Sequence, residues 1–162
     1  MQRVVSRVLI GGSLLFLVTL ISCAGSAPTG LGVKDDRLAA CPPSPNCVCS
    51  DSSTGQDGIA PLVLAVPPAK AWPAIRKAVT AMPRCQIIQA TDDYLHAECR
   101  SAIFRFVDDL EVQLRPDEGI AAVRSASRTG YSDMGVNRKR VESLRTALVA
   151  ADVVRAQGSS SR

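Results

Sequence analysis

The chain has 162 residues and a formal net charge of +4, with 19 basic and 15 acidic side chains and only 4% aromatic residues. Two of the basic residues, Arg3 and Arg7, lie in a predicted export signal, which leaves 17 basic against 15 acidic residues after position 22. General nucleic-acid binding needs a strong basic excess with interleaved aromatic side chains, so this composition excludes that class of function.

The first 22 residues predict a signal peptide. Met1–Arg7 carries cations and no acid, Val8–Ile21 is almost wholly apolar, and "LISC" follows at Leu20–Cys23. This order of regions is typical of secretion, and the apolar stretch is too short for a comfortable transmembrane helix. Removal of the signal leaves 140 residues, which is enough for one domain with a hydrophobic core.

The ending Leu-Ile-Ser-Cys resembles the bacterial lipobox, in which the cysteine becomes the acylated first residue. The resemblance implies lipidation at Cys23 and a protein attached to the membrane through its N-terminal lipid; an ordinary cleaved signal with a coincidental cysteine is the alternative. Ala24 stands where an aspartate would suggest retention in the inner membrane. We therefore expect an outer-membrane anchor, with the domain in the periplasm.

The predicted elements follow the order β-α-β-β-β-β-α. A strand lies in "GIAPLVLAVPP", and a helix over Ala69–Met82 carries Trp72 on its core face and ends at Pro83. Two hairpins follow, and the last helix runs from about Asn137 to Arg155. This order predicts an α+β fold with an antiparallel sheet of about five strands and two helices on one face, in a form that can resemble a helix-grip fold.

The domain boundaries follow from composition. Residues 23–40 are small and polar and contain glycine and proline, which predicts a flexible tether. A single domain is expected over residues 41–155, followed by a disordered tail over residues 156–162.

The first hairpin predicts a disulfide. "RCQIIQATDDYLHAECRS" has a turn at Thr91–Asp93, and if Ala90 faces Tyr94, counting back places Cys85 opposite Cys99. Disulfides are the default outside the cytoplasm, and a cross-strand bridge fits this register.

The segment "CPPSPNCVCS" supplies three more cysteines. A Cys41–Cys47 bridge would leave Cys49 free, as a redox group or for an intermolecular bridge. A metal site is the alternative, but the spacing matches no common zinc pattern, so no metal and no cofactor are expected.

The second hairpin joins "IFRFVDDLEVQL" to "IAAVRSASR" through the turn "RPDEG". If Leu114 pairs with Ile120, Leu110 lies opposite Arg124, and Asp108 becomes a diagonal neighbour of Arg124 on the apolar face. The apolar residues that alternate onto this face are Phe104, Phe106, Leu110, Val112 and Leu114.

Four segments carry a family resemblance: "CPPSPNCVCS", "DYLHAECRS", "FVDDLEVQL" and "VRSASRTGYSDMGVNRKRVESLR". Together they resemble the family called domain of unknown function 1499, from Cys41 to about Leu148, although a serine is usual at Cys49. The resemblance implies no established activity. It marks the family's characteristic polar positions as Asp108, Asp109, Glu111, Arg124, Ser125, Ser127, Arg128, Tyr131, Asp133, Asn137, Arg138 and Arg140.

Two interpretations of these positions remain open. Three cations, Arg138, Lys139 and Arg140, open the last helix, where exposed N–H groups already make the potential positive. In an ion clamp, the acids at 108, 109 and 111 would neutralise the arginines at 124, 128, 138 and 140 and hold the loop and helix on the sheet. In an anion site, the cations and helical N–H groups would bind a phosphate, sulfate or carboxylate, with Gly135 allowing close approach of the backbone.

Catalysis finds less support in the sequence. Asp108 and Asp109 are adjacent on a strand and point to opposite faces, and His96 lies on the opposite face from Cys99, where it is expected to be hydrogen-bonded or solvated. We expect a non-enzymatic module that binds an anionic small molecule, a lipid headgroup or an envelope protein. The alternative is an envelope enzyme with a cluster of Asp109, Glu111, Tyr131 and Asp133 and at least one acid of raised pKa.

Overall fold

The computed structural model describes residues 28–52 and 55–158. The predicted signal peptide, the lipidation at Cys23 and the last four residues of the predicted tail lie outside these ranges. The elements in chain order are β1 (Val33–Lys34), β2 (Arg37–Leu38), β3 (Cys47–Cys49), β4 (Leu62–Val63), α1 (Pro68–Ala81), β5 (Cys85–Ala90), β6 (Tyr94–Arg100), β7 (Val107–Arg115), β8 (Ile120–Ser127) and α2 (Val136–Ala150).

The predicted α+β class is confirmed. Five strands form an antiparallel sheet in the order β3-β8-β7-β6-β5, and β4 adds a sixth strand that also pairs with β8. β1 and β2 form a separate two-stranded hairpin. The sequence prediction missed β3, since its three residues lie between a segment with three prolines and a polar loop and show no extended alternation. None of the described helices is long and apolar enough to cross a bilayer.

Both helices pack on one face of the sheet. In α1, Trp72, Ile75 and Val79 are buried, and the Trp72 Nε1 donates to the carbonyl of Thr91 at 3.0 Å. The helix α2 buries Val141, Leu144 and Leu148 but ends at Ala150, earlier than predicted. It ends there because the chain turns at Asp152, which has φ 55°. The next two residues, Val153 and Val154, are buried, and Val154 pairs with Leu64, just after β4.

The first hairpin has the predicted register only at its cysteine end. Cys85 lies opposite Cys99, but a bulge between Ile87 and Gln89 then places Ala90 opposite Leu95. The expected Ala90–Tyr94 pairing is therefore wrong, while the expected disulfides are confirmed. They are Cys85–Cys99, with a Cα–Cα distance of 4.0 Å, and Cys41–Cys47, with a Cα–Cα distance of 5.7 Å.

The second hairpin differs from the predicted register by one residue. Leu114 pairs with Ala121 and Glu111 pairs with Arg124, because the turn comprises only the four residues 116–119. A one-residue shift exchanges the two faces of a strand. Asp108 and Arg124 therefore lie on opposite faces of the sheet, and the expected contact between them does not form.

The strand β7 also begins later than predicted, at Val107. Phe104 and Phe106 were expected on the apolar face, but they lie in the preceding loop with exposed fractions of 70% and 44%. The apolar face of β7 begins instead at Leu110 and continues through Val112 and Leu114.

The second face of the sheet is polar and buried. The helices do not cover it; part of the predicted tether, residues 28–40, contacts it instead. Gly32 N donates to Glu111 Oε1 at 2.7 Å, and Leu38 packs against Tyr94 and Ala122. The polar side chains buried on this face are Tyr94, His96, Asp109, Glu111, Gln113, Arg115 and Arg124.

Candidate functional site

Arg140 joins α2 to the helix-facing side of the sheet. Its guanidinium forms an ion pair with Asp108 and donates to Ser125 Oγ and Asn137 Oδ1. The Asn137 side chain is fully buried, and its Nδ2 donates to Ser127 Oγ at 3.0 Å. These contacts satisfy the polar groups between helix and strand, so they fix the helix on the sheet.

Asp109 lies at the centre of a second cluster, on the opposite face. Arg128 binds it at two points, with Nε–Oδ2 at 2.9 Å and Nη2–Oδ1 at 2.7 Å, and also pairs with Glu98 at 2.6 Å. His96 Nε2 lies 2.7 Å from Asp109 Oδ1. Burial raises the pKa of Asp109, but the hydrogen bonds from His96 and Arg128 outweigh it and lower the pKa overall.

Glu111, on the same face, is fully buried and has three partners. Arg124 Nη1 lies 2.9 Å from Oε2, while the Tyr94 hydroxyl and Gly32 N donate to Oε1 at 2.8 and 2.7 Å. Burial first, and then the neighbouring Glu111 carboxylate, raise the pKa of Tyr94, so its hydroxyl stays a donor. Among the described residues, Arg124 Nε is the buried side-chain polar atom without a hydrogen-bond partner.

The side chain of Asp133 caps the start of α2, where one interpretation of the sequence placed an anion site. Its carboxylate accepts hydrogen bonds from Gly135 N at 2.9 Å and from Asn137 N at 2.7 Å. Gly135 has φ 78°, a conformation that favours glycine and lets the loop turn into the helix. Two N–H groups at the start of the helix are therefore bound by the chain's own carboxylate.

The three cations that open α2 have different surroundings. Arg138 Nη2 donates to the carbonyls of Gln56 and Gly58 at 2.7 and 2.8 Å. Lys139 is exposed, and Arg140 binds Asp108. The pairs at Asp108, Asp109 and Glu111 are those that an ion clamp requires, but Arg138 takes no part in them.

A surface cleft lies beside the α2 N-terminus. One hollow of about 450 Å³ is lined by the loop 41–45, Gln56, Asp57 and Tyr131. A second, of about 240 Å³, shares Pro45 and Gln56 with it and extends to Asp133 and Arg138. The two hollows therefore adjoin and form one cleft between the loop 41–45 and the loop that precedes α2.

Residues 37–148 match the sequence pattern of the family described as "Protein of unknown function (DUF1499)". The chain belongs to the DUF1499 family. Among curated proteins, none matches the chain significantly. The family description carries no activity, so the function of this DUF1499 domain has to be argued from its own geometry.

Sequence reasoning missed several members of these clusters. Tyr94 and Glu98 contact Glu111 and Arg128, and Asn46 binds the carbonyl of Gly130 through its Nδ2 at 2.7 Å. Alternation along β6 would have indicated the first two, because they share a face with His96. Asn46 gave no such signal, since it precedes a three-residue strand that the sequence did not reveal.

Among the described residues, Cys49 is the free cysteine, and it is fully buried. Burial is the main cause that raises the pKa of its thiol, which disfavours the thiolate that redox chemistry needs. In the described part of the chain, no group of three or more His, Cys, Asp or Glu side chains could hold a metal ion.

Proposed function

We propose that this protein is a lipid-anchored, non-enzymatic binding module of the cell envelope, and that its cleft binds an extended segment of an envelope protein. The observation that supports this proposal is the exposure of Tyr131. Its side chain is 76% exposed at the rim of the cleft, although it belongs to a loop that a buried charge network holds in place. Exposed tyrosines on rigid supports are common in binding surfaces, since one ring provides a large contact area and a hydrogen bond.

The rim opposite Tyr131 also suits a protein segment. Pro42, Pro43 and Pro45 have restricted backbones, and the Cys41–Cys47 disulfide closes their loop. A rim that is already ordered loses little conformational entropy on binding. Apolar proline rings and an aromatic ring can therefore contact an extended chain at low cost.

The charges of the cleft favour a protein segment over a small anion. Arg138 is the cation among the lining residues, while Asp57 and Asp133 contribute two carboxylates. Asp133 already accepts hydrogen bonds from two N–H groups at the helix start, those of Gly135 and Asn137. A phosphate or sulfate would meet more negative than positive charge there.

The enzyme alternative receives less support from the geometry. Asp109 and Glu111 lie on the polar sheet face and are paired with Arg128 and Arg124, whereas Tyr131 and Asp133 belong to the loop before α2. The pKa of Asp109 is lowered, while a general acid would need a raised one.

Site-specific photocrosslinking in cells tests the proposal. We expect a photoreactive phenylalanine analogue at Gln56, which lines both hollows, to form a discrete adduct with one envelope protein. The adduct should disappear in Tyr131→Ala and persist in Ile88→Ala, which removes an exposed apolar side chain on β5. The same analogue at Glu118, in the turn after β7, should give no such adduct.

Native mass spectrometry of the exported protein, purified without reductant, tests the anion alternative. A bound small anion that disappears in Arg138→Ala would contradict the proposal and assign the cleft to a small molecule. An adduct at Gln56 that is unchanged in Tyr131→Ala would also contradict it.

A further inference from the structure

The loop between β6 and β7 exposes three large apolar side chains. Ile103, Phe104 and Phe106 have exposed fractions of 82%, 70% and 44%. The two phenylalanine rings stack on each other with their centroids 5.5 Å apart, and the loop is closed by a hydrogen bond from Ser101 N to the carbonyl of Phe106 at 2.9 Å. Large apolar side chains that lie together on a surface can mark contact sites for proteins or membranes.

Three arginines surround a hollow of about 310 Å³ next to this loop: Arg84, Arg100 and Arg105. Arg100 forms an ion pair with Glu98 at 2.9 Å. Arg84 and Arg105 are exposed, and among the described residues neither has an acidic partner within ion-pair distance. The apolar group is thus bordered by two cations that no acidic side chain in the described ranges neutralises.

We propose that this loop, with Arg84 and Arg105, is a membrane-contact surface. Ile103, Phe104 and Phe106 enter the interfacial region of the bilayer, and the two guanidinium groups bind lipid phosphates. Phenylalanine and aliphatic side chains of membrane-surface segments enter the boundary between headgroups and acyl chains, and each basic residue near an anionic surface contributes about 1 kcal/mol. This surface is separate from the Tyr131 cleft and does not depend on the function proposed for that cleft.

The N-terminal part of the domain lies close enough to the loop for the loop and an N-terminal lipid to contact one bilayer. Gly32 contacts Glu111, four residues into β7, so it lies roughly 14 Å along the strand from Val107 and the loop. Cys23 lies nine positions before Gly32, and a chain of nine residue steps spans at most about 30 Å. A lipid on Cys23 and the loop can therefore reach the same membrane surface, and two contacts orient a protein where one only tethers it.

A second copy of the chain fits this surface less well. In a two-fold dimer through the loop, the Arg84 and Arg105 side chains of both copies would come together without acids to neutralise them. Like charges at short distance repel, and this repulsion opposes the apolar contact. Lipid phosphates provide the opposite charge that both arginines lack.

Tryptophan fluorescence of the full exported chain in vesicles tests the proposal. The chain contains a single tryptophan, Trp72, which is buried in the core and serves as an internal reference. In Phe104→Trp, the added fluorescence should shift to shorter wavelength on addition of phosphatidylglycerol vesicles and should be quenched by brominated lipid. The matched control is Ile88→Trp, an exposed isoleucine on β5, which should show neither effect.

Charge-reversal variants distinguish the contribution of the two arginines to membrane binding from that of the apolar side chains. Arg84→Glu with Arg105→Glu, in the Phe104→Trp background, should weaken the quenching in phosphatidylglycerol vesicles and change it little in phosphatidylcholine vesicles. An emission from Phe104→Trp that stays water-like and unquenched would overturn the proposal. So would self-association in analytical ultracentrifugation that is abolished by Phe104→Ala, because a second copy would then cover the loop.

Discussion

Arg128 and Asp109 form a two-point ion pair on the sheet face that the helices do not cover. The guanidinium Nε and Nη2 lie 2.9 and 2.7 Å from the two carboxylate oxygens, and both side chains are at least 95% buried. A planar guanidinium matches a carboxylate in this way, which a lysine cannot do. The pair ties the end of β8 to β7, at the start of the loop that carries Tyr131.

Replacement of Arg128 should destabilise the domain strongly. Arg128→Ala removes the guanidinium partner of the buried Asp109 carboxylate. The loss of one partner of a buried pair costs about 3–5 kcal/mol of unfolding free energy. Urea-induced unfolding measures the change. The control is Arg100→Ala, since the Arg100–Glu98 pair is more exposed and contributes about 1 kcal/mol or less. Equal losses of unfolding free energy in the two variants would contradict a strong stabilisation by the Arg128–Asp109 pair.

The lowered pKa of Asp109 predicts a stability that falls in acid. Burial opposes ionisation, but His96 and Arg128 lower the folded-state pKa below the unfolded value of about 3.9. A depressed carboxyl pKa stabilises the fold above the unfolded pKa, and this stabilisation is lost as the pH falls from about 4 through the folded pKa. Asp109→Asn should therefore show a shallower decrease in unfolding free energy below pH 4.

Unfolding in urea at a series of pH values from 6 to 2 measures this difference. Asp92→Asn replaces an exposed carboxylate in the turn between β5 and β6 and controls for the loss of one charge. It should keep the wild-type pH dependence. If Asp109→Asn also keeps it, the lowered pKa of Asp109 has no role in acid sensitivity.

Cys49 should be unreactive in the folded protein. Its thiol is fully buried and burial raises its pKa, so both access and thiolate fraction are low. N-ethylmaleimide without reductant should leave Cys49 unlabelled in the native protein and label it once guanidinium unfolds the domain. Peptide mapping by mass spectrometry locates the label. Rapid native labelling at Cys49 would instead support the redox role considered from the sequence.

Part of the candidate site could be predicted from alternation alone. Asp108 and Asp109 do point to opposite faces, as adjacent strand residues must, and each binds a different arginine. Which arginine each acid meets could not be predicted, since a turn shorter by one residue places Glu111 opposite Arg124. The capping role of Asp133 was also missed, because a carboxylate two residues before Gly135 gives no sign of whether it faces solvent or the helix.

The sequence by itself determined the α+β class and the two core helices, because these depend on periodicity and composition, which neighbouring residues set along the chain. Four sequence segments indicated the family, and the cysteine positions indicated candidate disulfides that the structure contains. Only the tertiary structure decided the strand registers, the partner of each buried charge and the position of residues 28–40 on the polar face. Such contacts depend on turn lengths and bulges, and a shift of one residue exchanges every side chain between the two faces of a strand. For that reason Asp108 forms its ion pair on the helix-facing side of the sheet, while Asp109 and Glu111 form theirs on the opposite face.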